Sequence, residues 1–339
     1  MDKTQDLLGQ PLSQPLTDGF GRRFEYLRLS LTDVCNFRCT YCLPNGFRKA
    51  KGLASELGLD EIRRLITAFA ALGLWKVRLT GGEPTLRADF LDVARTVAAV
   101  PGIRRLAMTT NGYRLPERAA DYYAAGVRAI NISVDSLRPE QFAAITGHNR
   151  LAEVLGGVEA ARAAGFATIK LNCVLMAGVN AGEIGALVDF AAARDLSLRF
   201  IEVMRTNDNP DFYRQRHAPA TLVADLLESR GWQRLPRRPG EGPAVEYGLA
   251  GAPGRVGLIA PYSKDFCASC NRLRVSSRGA LHLCLFGEGG LDIRPLLQAD
   301  DQQEALVARL RALTRTKAAS HHLHDGNSGA TANLSAIGG

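Results

Sequence analysis

Three cysteines stand close together near the start of the chain, in the stretch SLTDVCNFRCTYC (30–42). They are spaced Cys-x3-Cys-x2-Cys, as Cys35, Cys39 and Cys42. A structural zinc site is closed by four ligands, and no histidine or fourth cysteine lies near these three in the sequence. An iron-sulfur cube held by three thiolates leaves one iron free to bind another molecule. The spacing therefore favours a reactive iron-sulfur centre.

A second group of three cysteines lies in the stretch CASCNRLRVSSRGALHLCLF (267–286). These are Cys267, Cys270 and Cys284. His282 is close enough in sequence to be a fourth ligand, so the spacing alone leaves a zinc site open beside a second iron-sulfur cluster. Arg272 and Arg274 occupy alternate positions of an extended segment and point to one face, where they can bind phosphate beside the metal.

The elements that must position these residues alternate between strands and helices. Apolar and β-branched runs predict six strands, at 26–32, 76–82, 104–112, 129–136, 168–176 and 197–204. Between them lie helical patterns such as 57–73, which ends on a glycine, and 116–126, which opens with a proline. The alternation predicts a parallel sheet with right-handed crossovers, as either an open doubly wound sheet or a barrel.

Polar residues mark the places where the predicted strands end. Thr32, Glu83, Thr109 and Ser133 stand at the carboxyl ends of the first four strands. The active sites of barrels are built on that rim. This pattern therefore favours a full or partial barrel.

Cations stand in mid-strand between apolar neighbours in four of the predicted strands. They are Arg28, Arg78, Lys170 and Arg199. Because helices cover the outer face of a barrel and make it apolar, we expect these side chains to point inward. Buried cations need anions. Glu83, Asp135 or Glu202 are candidates for any single cation, and for the whole set we favour a polyanionic ligand in the lumen.

Composition bounds the class of protein. The chain has 339 residues, of which 46% are hydrophobic, and this is enough for a buried, shaped site. It has no secretory signal pattern and no stretch of eighteen or more uninterrupted apolar residues, so we expect a cytoplasmic protein without a membrane partner. The formal charge of +8 is compatible with nucleic-acid binding, but part of it belongs to the predicted interior site, and we expect no nucleic-acid partner. Cys173, in an apolar run, is expected to be a buried strand residue.

The first cysteine group resembles the radical S-adenosylmethionine (SAM) family. The motif CNFRCTYC (35–42) follows one predicted strand, and TGGEP (80–84) follows the next. The resemblance implies that SAM binds the open iron of a 4Fe-4S cluster and is cleaved to a 5′-deoxyadenosyl radical. Gly81 and Gly82 would let the strand approach SAM, and Glu83 could accept a hydrogen bond from its amine.

Both cysteine groups, with NRLRVSSRG (271–279) and the terminal IGG, resemble the GTP 3′,8-cyclase family of radical SAM enzymes, from about residue 18 to Gly339. The resemblance implies an N-terminal extension (1–20), a partial (β/α)6 TIM-like barrel (21–209) and a smaller C-terminal iron-sulfur unit (210–339). A second 4Fe-4S cluster there would bind the guanine of GTP. The implied reaction removes the ribose 3′ hydrogen and joins C3′ to C8, giving 3′,8-cyclo-7,8-dihydro-GTP, in the first step of molybdenum cofactor biosynthesis.

The resemblance also implies individual site residues and no catalytic side chain beyond the cofactors. Those for SAM are Tyr41, Gly82, Ser133 and Met204. Those for GTP are Arg28, Arg78, Thr109, Lys170, Arg272 and Arg274. Lys76 and Arg199 are further candidates for phosphate. A triphosphate carries about the charge that the inward-facing cations require.

The C-terminal tail and the partners complete the expectations. The resemblance implies that Gly338 and Gly339 enter the active site, whereas the histidines of the polar tail, His321, His322 and His324, are expected to be solvated. Implied partners are an electron donor of the flavodoxin or ferredoxin type, the next enzyme, cyclic pyranopterin monophosphate synthase, and a second copy in a homodimer. Two other classes stay open: a radical SAM enzyme with an auxiliary cluster acting on a peptide or another nucleotide, and a zinc-stabilised nucleic-acid-binding protein.

The sequence departs from the family pattern in three places. Val34 stands where an arginine is usual, TKAASHH (316–322) replaces a Lys-Pro run, and the loop from Asn45 to Glu56 is short. These positions include no cluster ligand, so we expect only local differences.

Overall fold

The computed structural model describes residues 15–49, 52–237, 242–264, 266–331, 334, 335 and 337. Its strands are β1 (Tyr26–Ser30), β2 (Lys76–Thr80), β3 (Arg105–Thr110), β4 (Ala129–Ser133), β5 (Thr168–Leu175), β6 (Ser197–Glu202), β7 (Gln233–Arg234), β8 (Val245–Gly248), β9 (Arg255–Ile259), β10 (Arg272–Val275), β11 (Ala280–His282) and β12 (Leu291–Asp292). Its α-helices are α1 (Leu59–Ala71), α2 (Phe90–Ala99), α3 (Leu115–Ala124), α4 (Pro139–Thr146), α5 (Leu151–Ala163), α6 (Ile184–Ala192), α7 (Pro210–Arg216), α8 (Thr221–Ser229) and α9 (Gln303–Arg315).

All of these strands belong to one sheet, in the order β12-β11-β10-β1-β2-β3-β4-β5-β6-β9-β8-β7. The six strands predicted from the sequence are β1 to β6, and they run parallel in chain order. Helices connect them, as expected for right-handed crossovers. The prediction of a partial, TIM-like barrel is confirmed, since within the described residues the end strands β12 and β7 are not paired with each other.

Alternation along the strands separates an apolar outer face from a polar inner face. On β1, Leu27 and Leu29 are fully buried and join the same apolar core as the inward side of α1. Each such leucine contributes roughly 1.5–3 kcal/mol to folding. Arg28 lies between them in sequence and faces the other way, in register with Arg78 on β2 and Arg274 on β10. The prediction that the strand cations point inward is confirmed by the cavity that they line.

The helices begin and end where the sequence indicates. The pattern at 57–73 forms α1, and the Glu61 carboxylate accepts a 2.8 Å hydrogen bond from the Gly58 N–H just before the first turn. Gly73 follows this helix with φ of +86°, a conformation that other residues rarely adopt. The pattern at 116–126 forms α3 with its proline in the first turn.

The chain beyond residue 210 extends both edges of the barrel sheet. β9 pairs in parallel with β6, and β10 pairs in parallel with β1, so the parallel part of the sheet has eight strands. Antiparallel hairpins then continue outward on each side. The Cys267 to Cys284 segment therefore lies directly beside the first strand. The division of the chain at residue 210 remains a prediction about folding units.

Candidate functional site

One cavity of about 560 Å³ lies inside the curved sheet, and both cysteine groups open into it. The residues that the sequence analysis assigned to the clusters, to SAM and to GTP line this cavity, with the exception of Glu83 and of the terminal glycines described below. They are Cys35, Cys39, Cys42, Cys267, Cys270 and Cys284, then Tyr41, Gly82, Ser133 and Met204, and Arg28, Arg78, Thr109, Lys170, Arg272 and Arg274. Strand register explains this meeting, because alternate residues of β1 to β6 and of β10 share the concave face.

The first cysteine loop is fixed against the end of β2 by close backbone packing. The N–H groups of Gly82 and Glu83 donate to the carbonyls of Thr32 and Val34, each at 2.8 Å. A Cβ on Gly81 would lie 2.4 Å from the Thr32 oxygen, and one on Gly82 would lie 2.4 Å from the Val34 oxygen. Both glycines are thus required by the approach of the loop itself.

Glu83 supports the site from outside the cavity, which corrects the expectation that it accepts from a cofactor amine. Its side chain is buried, and one carboxylate oxygen accepts from Thr85 N, Thr85 Oγ1 and Thr110 Oγ1 at 2.7 to 3.1 Å. The other accepts from the Asn111 N–H at 2.7 Å. Burial raises the pKa of this carboxyl. Glu83 therefore links the ends of β2 and β3 by hydrogen bonds and does not itself line the cavity.

Replacing Glu83 by glutamine is expected to destabilise the fold by about 1–3 kcal/mol, because the amide NH2 faces buried donors and leaves one of them unsatisfied. Urea unfolding measures this difference. Asp92→Asn is the matched control: it also neutralises one carboxylate, but its partner Arg95 and Asp92 itself are each 59% exposed, so a change below about 0.5 kcal/mol is expected. Equal stability of the two variants would contradict the role of Glu83.

Tyr41, between Cys39 and Cys42, is anchored to the barrel wall. Its hydroxyl donates to Asp135 Oδ2 at 2.9 Å, and Asp135 Oδ1 accepts from the Val174 N–H at 2.8 Å. Burial raises the pKa of Asp135 to about 6 and that of Tyr41 well above its ordinary value. Asp135 therefore holds the cysteine loop rather than pairing with a strand cation.

Four inward cations form an array on the cavity wall: Arg274 on β10, Arg28 on β1, Arg78 on β2 and Lys170 on β5. Among the described residues no carboxylate forms an ion pair with Arg78, Lys170 or Arg274, although Arg78 and Arg274 are about 95% buried. Burial is the main cause that lowers the pKa of Lys170 to about 7 and that of Arg274 to about 10. The cavity is thus prepared for a strongly anionic ligand.

Tyr26 lies at the base of this array, and sequence reasoning missed it. Its hydroxyl accepts from Arg78 Nε, and Lys76 Nζ lies 4.6 Å from its ring centroid. Burial acts to raise the pKa of this phenol, but Arg78, Arg28 and Lys76 outweigh it and lower the pKa to about 7. Tyr26 could have been found from the alternation along β1, because it lies two residues before Arg28 and therefore faces the cavity as well.

Arg199 differs from the other strand cations because it has an internal partner. Its guanidinium donates to Glu246 Oε1 at 2.8 Å, and both side chains are buried to about 85–90%. None of the carboxylates considered from the sequence, Glu83, Asp135 and Glu202, forms an ion pair with Arg199, and Glu202 Oε1 accepts from the Ala220 N–H at 2.7 Å. Glu246 lies on β8, a short strand between β9 and β7 that the sequence did not predict.

The second cysteine group has a more positive environment than the first. Burial raises the pKa of Cys35 to about 11 and that of Cys42 to about 12. At Cys270 burial acts in the same sense, but Arg272 and Lys317 outweigh it and lower the pKa to about 7. The buried Lys317 ammonium also donates to the Leu283 carbonyl, next to Cys284.

Arg22 clamps this second group to the rest of the chain. Its guanidinium pairs with Asp18 at 2.6 Å and donates to the carbonyls of Cys267, Ala318 and Ala319 at 2.6 to 3.0 Å. The Arg22 side chain is only 9% exposed. Three segments distant in sequence therefore meet behind the second cysteine group.

The alternative of a four-ligand zinc site finds no geometric support in the described part of the chain. There, no group of three or more His, Cys, Asp or Glu side chains is arranged to hold a single metal ion. His282 does not line the cavity, and its ring packs against Gly290. A four-iron cube places each thiolate on a different iron, so it separates the sulfur atoms more widely than a single ion does.

The C-terminal tail packs against the second cysteine group. The expectation that His321 is solvated is therefore wrong. His321 is 5% exposed, lines the cavity and lies between Phe266 and Phe286, with ring centroids 5.9 and 5.6 Å away. Leu323 and Ile337 share a small apolar cluster with Leu285 and Phe286. His322 is exposed, as expected. The side chain of His324 and the residues Gly338 and Gly339 lie outside the described residues.

Comparison with known proteins agrees with this geometry. Residues 29–191 match the Radical SAM superfamily, and residues 196–323 match Molybdenum Cofactor Synthesis C. The GTP 3′,8-cyclase of Aeromonas hydrophila is 53% identical over 337 residues, which is 98% of each chain. That of Yersinia pestis is 53% identical over 324 residues, covering 96% of this chain and 99% of the relative.

Solved structures share the fold at low sequence identity. Streptococcus suis SuiB bound to S-adenosylmethionine superposes with a TM-score of 0.59 and 13% identity, covering 84% of this chain and 68% of that one. At that identity the likeness shows the fold alone. Sequence identity above 50% over nearly the whole length carries the assignment, and the chain belongs to the GTP 3′,8-cyclase family of radical SAM proteins.

Proposed function

We propose that this chain converts GTP to 3′,8-cyclo-7,8-dihydro-GTP inside the cavity that both cysteine groups line, as its family relationship implies. The reaction is the first step of molybdenum cofactor biosynthesis. The observation that supports this site is the meeting of two cysteine triplets and a cation array in one enclosed space. The cofactors are two 4Fe-4S clusters and SAM.

The residues present fit these cofactors. Each triplet supplies three free thiols to the cavity, and in neither triplet are they arranged for a single ion. Cys35, Cys39 and Cys42 would hold the first cluster, and Cys267, Cys270 and Cys284 the second. What the cofactors supply when bound is reductive cleavage of SAM and, through it, removal of a hydrogen from the substrate.

SAM would bind at the carboxyl-end rim of the barrel. Ser133 ends β4 and Met204 follows β6, while Gly82 follows β2 and Tyr41 lies in the first cysteine loop. A Cβ on Gly82 would meet the Val34 carbonyl, so this glycine keeps the first cysteine loop close to the end of β2, where SAM would bind. The Tyr41–Asp135 bond keeps the loop in place while SAM is held.

GTP would bind below SAM, with its triphosphate on the array. Arg28 and Arg78 supply charged donors from the neighbouring strands β1 and β2, and Lys170 supplies one from β5. Arg78 also donates to Thr109 Oγ1 at 3.2 Å, which fixes the direction of its guanidinium. Arg274 is the β10 member of the array, and with Arg272 it lines the cavity beside the second cysteine group, where the guanine would bind.

GTP affinity is expected to fall as the pH rises above about 7. Burial lowers the pKa of Lys170 to about 7 and that of Lys76 to about 8. A bound triphosphate favours the charged lysines, so each lysine must take up a proton when GTP binds above its pKa. The loss approaches roughly tenfold per pH unit for each lysine. Calorimetric titrations with GTP from about pH 6 to about pH 9 measure this slope.

Lys170→Arg is the control for the pH dependence, because it keeps a charge at the same place over the whole range. We expect a shallower slope in this variant. A slope identical to that of the unaltered protein, or GTP affinity independent of pH in both, would contradict the assignment of Lys170 to the triphosphate.

Two measurements separate this function from its rivals. The iron and acid-labile sulfide contents after anaerobic reconstitution distinguish an iron-sulfur protein from a zinc protein. Bound zinc without sulfide would contradict the proposed enzymatic function. Affinities for GTP, GDP and guanosine then test the array. We expect each phosphate removed to weaken binding, since a hydrogen bond to a charged group contributes about 1.5–3 kcal/mol. Equal affinity for guanosine and GTP would contradict the site.

We also propose the partners and location that the family implies. They are a low-potential flavodoxin- or ferredoxin-type electron donor, cyclic pyranopterin monophosphate synthase as the next enzyme, a homodimer and a cytoplasmic site of action. Among the described residues no helix is both long and apolar enough to cross a membrane. Most of the cations that the sequence singled out face the cavity, which favours GTP over nucleic acid as their ligand.

A further inference from the structure

Asn131 is a buried amide on the cavity wall to which the family resemblance gave no role. It lies in the middle of β4 and is 6% exposed. Its side chain lines the cavity, and its Oδ1 atom is buried without a hydrogen-bond partner among the described residues. Its amide nitrogen donates to Asn172 Oδ1 at 3.4 Å. A buried acceptor left in this way is costly unless a ligand supplies a donor.

Strand register places this acceptor between the two proposed ligands. Asn131 is directly opposite Thr109 on β3 and Lys170 on β5, both in the proposed GTP set. Ser133, in the proposed SAM set, lies two residues further along β4, which is about 6.6 Å at the usual rise of a strand. Asn131 therefore lies at the level where substrate and SAM meet.

The chemistry of the amide selects the part of GTP that it contacts. The fully ionised triphosphate offers only acceptors, so it cannot satisfy Oδ1. The guanine is assigned to the second cysteine group, which follows β9 and flanks β10, and three strands lie between β10 and β4 in the sheet. A ribose hydroxyl remains as the group that can donate to Oδ1.

We propose that Asn131 accepts a hydrogen bond from a ribose hydroxyl of GTP and so sets the height of the sugar below SAM. This role deepens the proposed function and rests on it. The Asn131–Asn172 bond orients the amide toward the cavity, and Asn172 is in turn opposite Ser133. Asn131 is thus a specificity-determining residue that distinguishes ribonucleotides from deoxynucleotides.

Affinities of GTP, 2′-deoxy-GTP and 3′-deoxy-GTP test this proposal. Anaerobic titration calorimetry on cluster-loaded protein without SAM reports binding without turnover. In the unaltered protein, loss of the hydroxyl that Asn131 contacts is expected to weaken binding roughly 10- to 100-fold, because it leaves a buried acceptor unpaired. In Asn131→Leu, which keeps the volume but removes the amide, the ratio of the deoxynucleotide Kd to the GTP Kd is expected to fall to within about threefold. The two deoxynucleotides show which hydroxyl is recognised.

Two further variants control the comparison. Asn131→Asp keeps an acceptor and is expected to keep the ratio, even if all three affinities change alike. Thr168→Val makes a similar polar-to-apolar change on the neighbouring strand, where the Thr168 hydroxyl already accepts from Arg105 at 2.8 Å, and is expected to keep the ratio too. Asn131→Ala replaces the leucine variant if that variant does not fold.

A leucine or alanine variant that retains the full ratio would overturn the proposal, as would unaltered protein that binds all three nucleotides equally. Failure of the proposed function has a different signature. In that case the unaltered protein does not bind GTP more tightly than guanosine, whatever the state of the sugar.

Discussion

Cys39→Ala is expected to reduce the bound iron to about half and to abolish 5′-deoxyadenosine formation, with or without GTP. Two thiolates cannot hold the cube that three hold, and the second cluster has its own ligands. Cys284→Ala is expected to lose a similar share of the iron. It retains the first cysteine triplet, so slow cleavage of SAM should persist while cyclised guanosine product disappears.

Cys173→Ala is the matched control for these variants. Cys173 is fully buried on the outer face of β5, as expected from the sequence, and its sulfur lies 3.6 Å from the Asp135 carbonyl oxygen. Removing this thiol is expected to leave the iron content and the product unchanged. If Cys173→Ala lost iron and Cys39→Ala did not, the assignment of the first triplet would be wrong.

Arg274→Ala and Lys170→Ala are each expected to weaken GTP binding by roughly 10- to 100-fold, since each removes a hydrogen bond between charged groups. Iron and sulfide contents should stay normal, because neither residue is a cluster ligand. Anaerobic titration calorimetry with GTP measures the loss. It should be larger than the loss for guanosine, which has no phosphate.

Arg95→Ala separates this contact from a general effect of charge. It removes one positive charge at an exposed ion pair with Asp92, and neither residue lines the cavity. We expect GTP affinity within about twofold of that of the unaltered protein, because surface charges are screened at ordinary ionic strength. Equal losses in Arg95→Ala and Arg274→Ala would contradict the array as a binding site.

The sequence predicted the parts of the fold that depend on local pattern. The strands β1 to β6 carry strong apolar runs, and their boundaries in the structure agree to within a few residues at the carboxyl ends. The inward direction of Arg28, Arg78 and Lys170 also follows from the pattern, since a period of two fixes the face of every residue in a strand. These local rules are enough to place the cation array.

The parts that could not be predicted depend on contacts between distant segments. Apart from β10, which the alternation of Arg272 and Arg274 indicates, the strands from β7 to β12 carry no clear local periodicity. They are two to five residues long, and most are separated by loops that contain glycine or proline. The partner of Arg199, Glu246, lies on one of them. The clamp at Arg22 joins residues almost 300 positions apart, and the aromatic surroundings of His321 form only when the tail folds back.

Glu83 shows how a correct motif can be given the wrong role. The TGGEP sequence places it at the rim, but its carboxylate accepts four hydrogen bonds in the structure, and the two from Thr110 and Asn111 join the ends of β2 and β3. A buried carboxylate with that many donors is already satisfied. Spacing alone cannot reveal this, because the donors come from Thr85, Thr110 and Asn111, and the latter two lie more than 25 positions along the chain.

The most direct test of the assigned reaction is the formation of 5′-deoxyadenosine by anaerobically reconstituted protein. SAM and a strong reductant are supplied, and the nucleoside is measured with GTP, with ATP and without nucleotide. We predict formation that rises with GTP alone, together with an equal amount of cyclised guanosine product. Formation that is indifferent to GTP, or none at all from fully iron-loaded protein, would contradict the assignment of this cavity to GTP cyclisation.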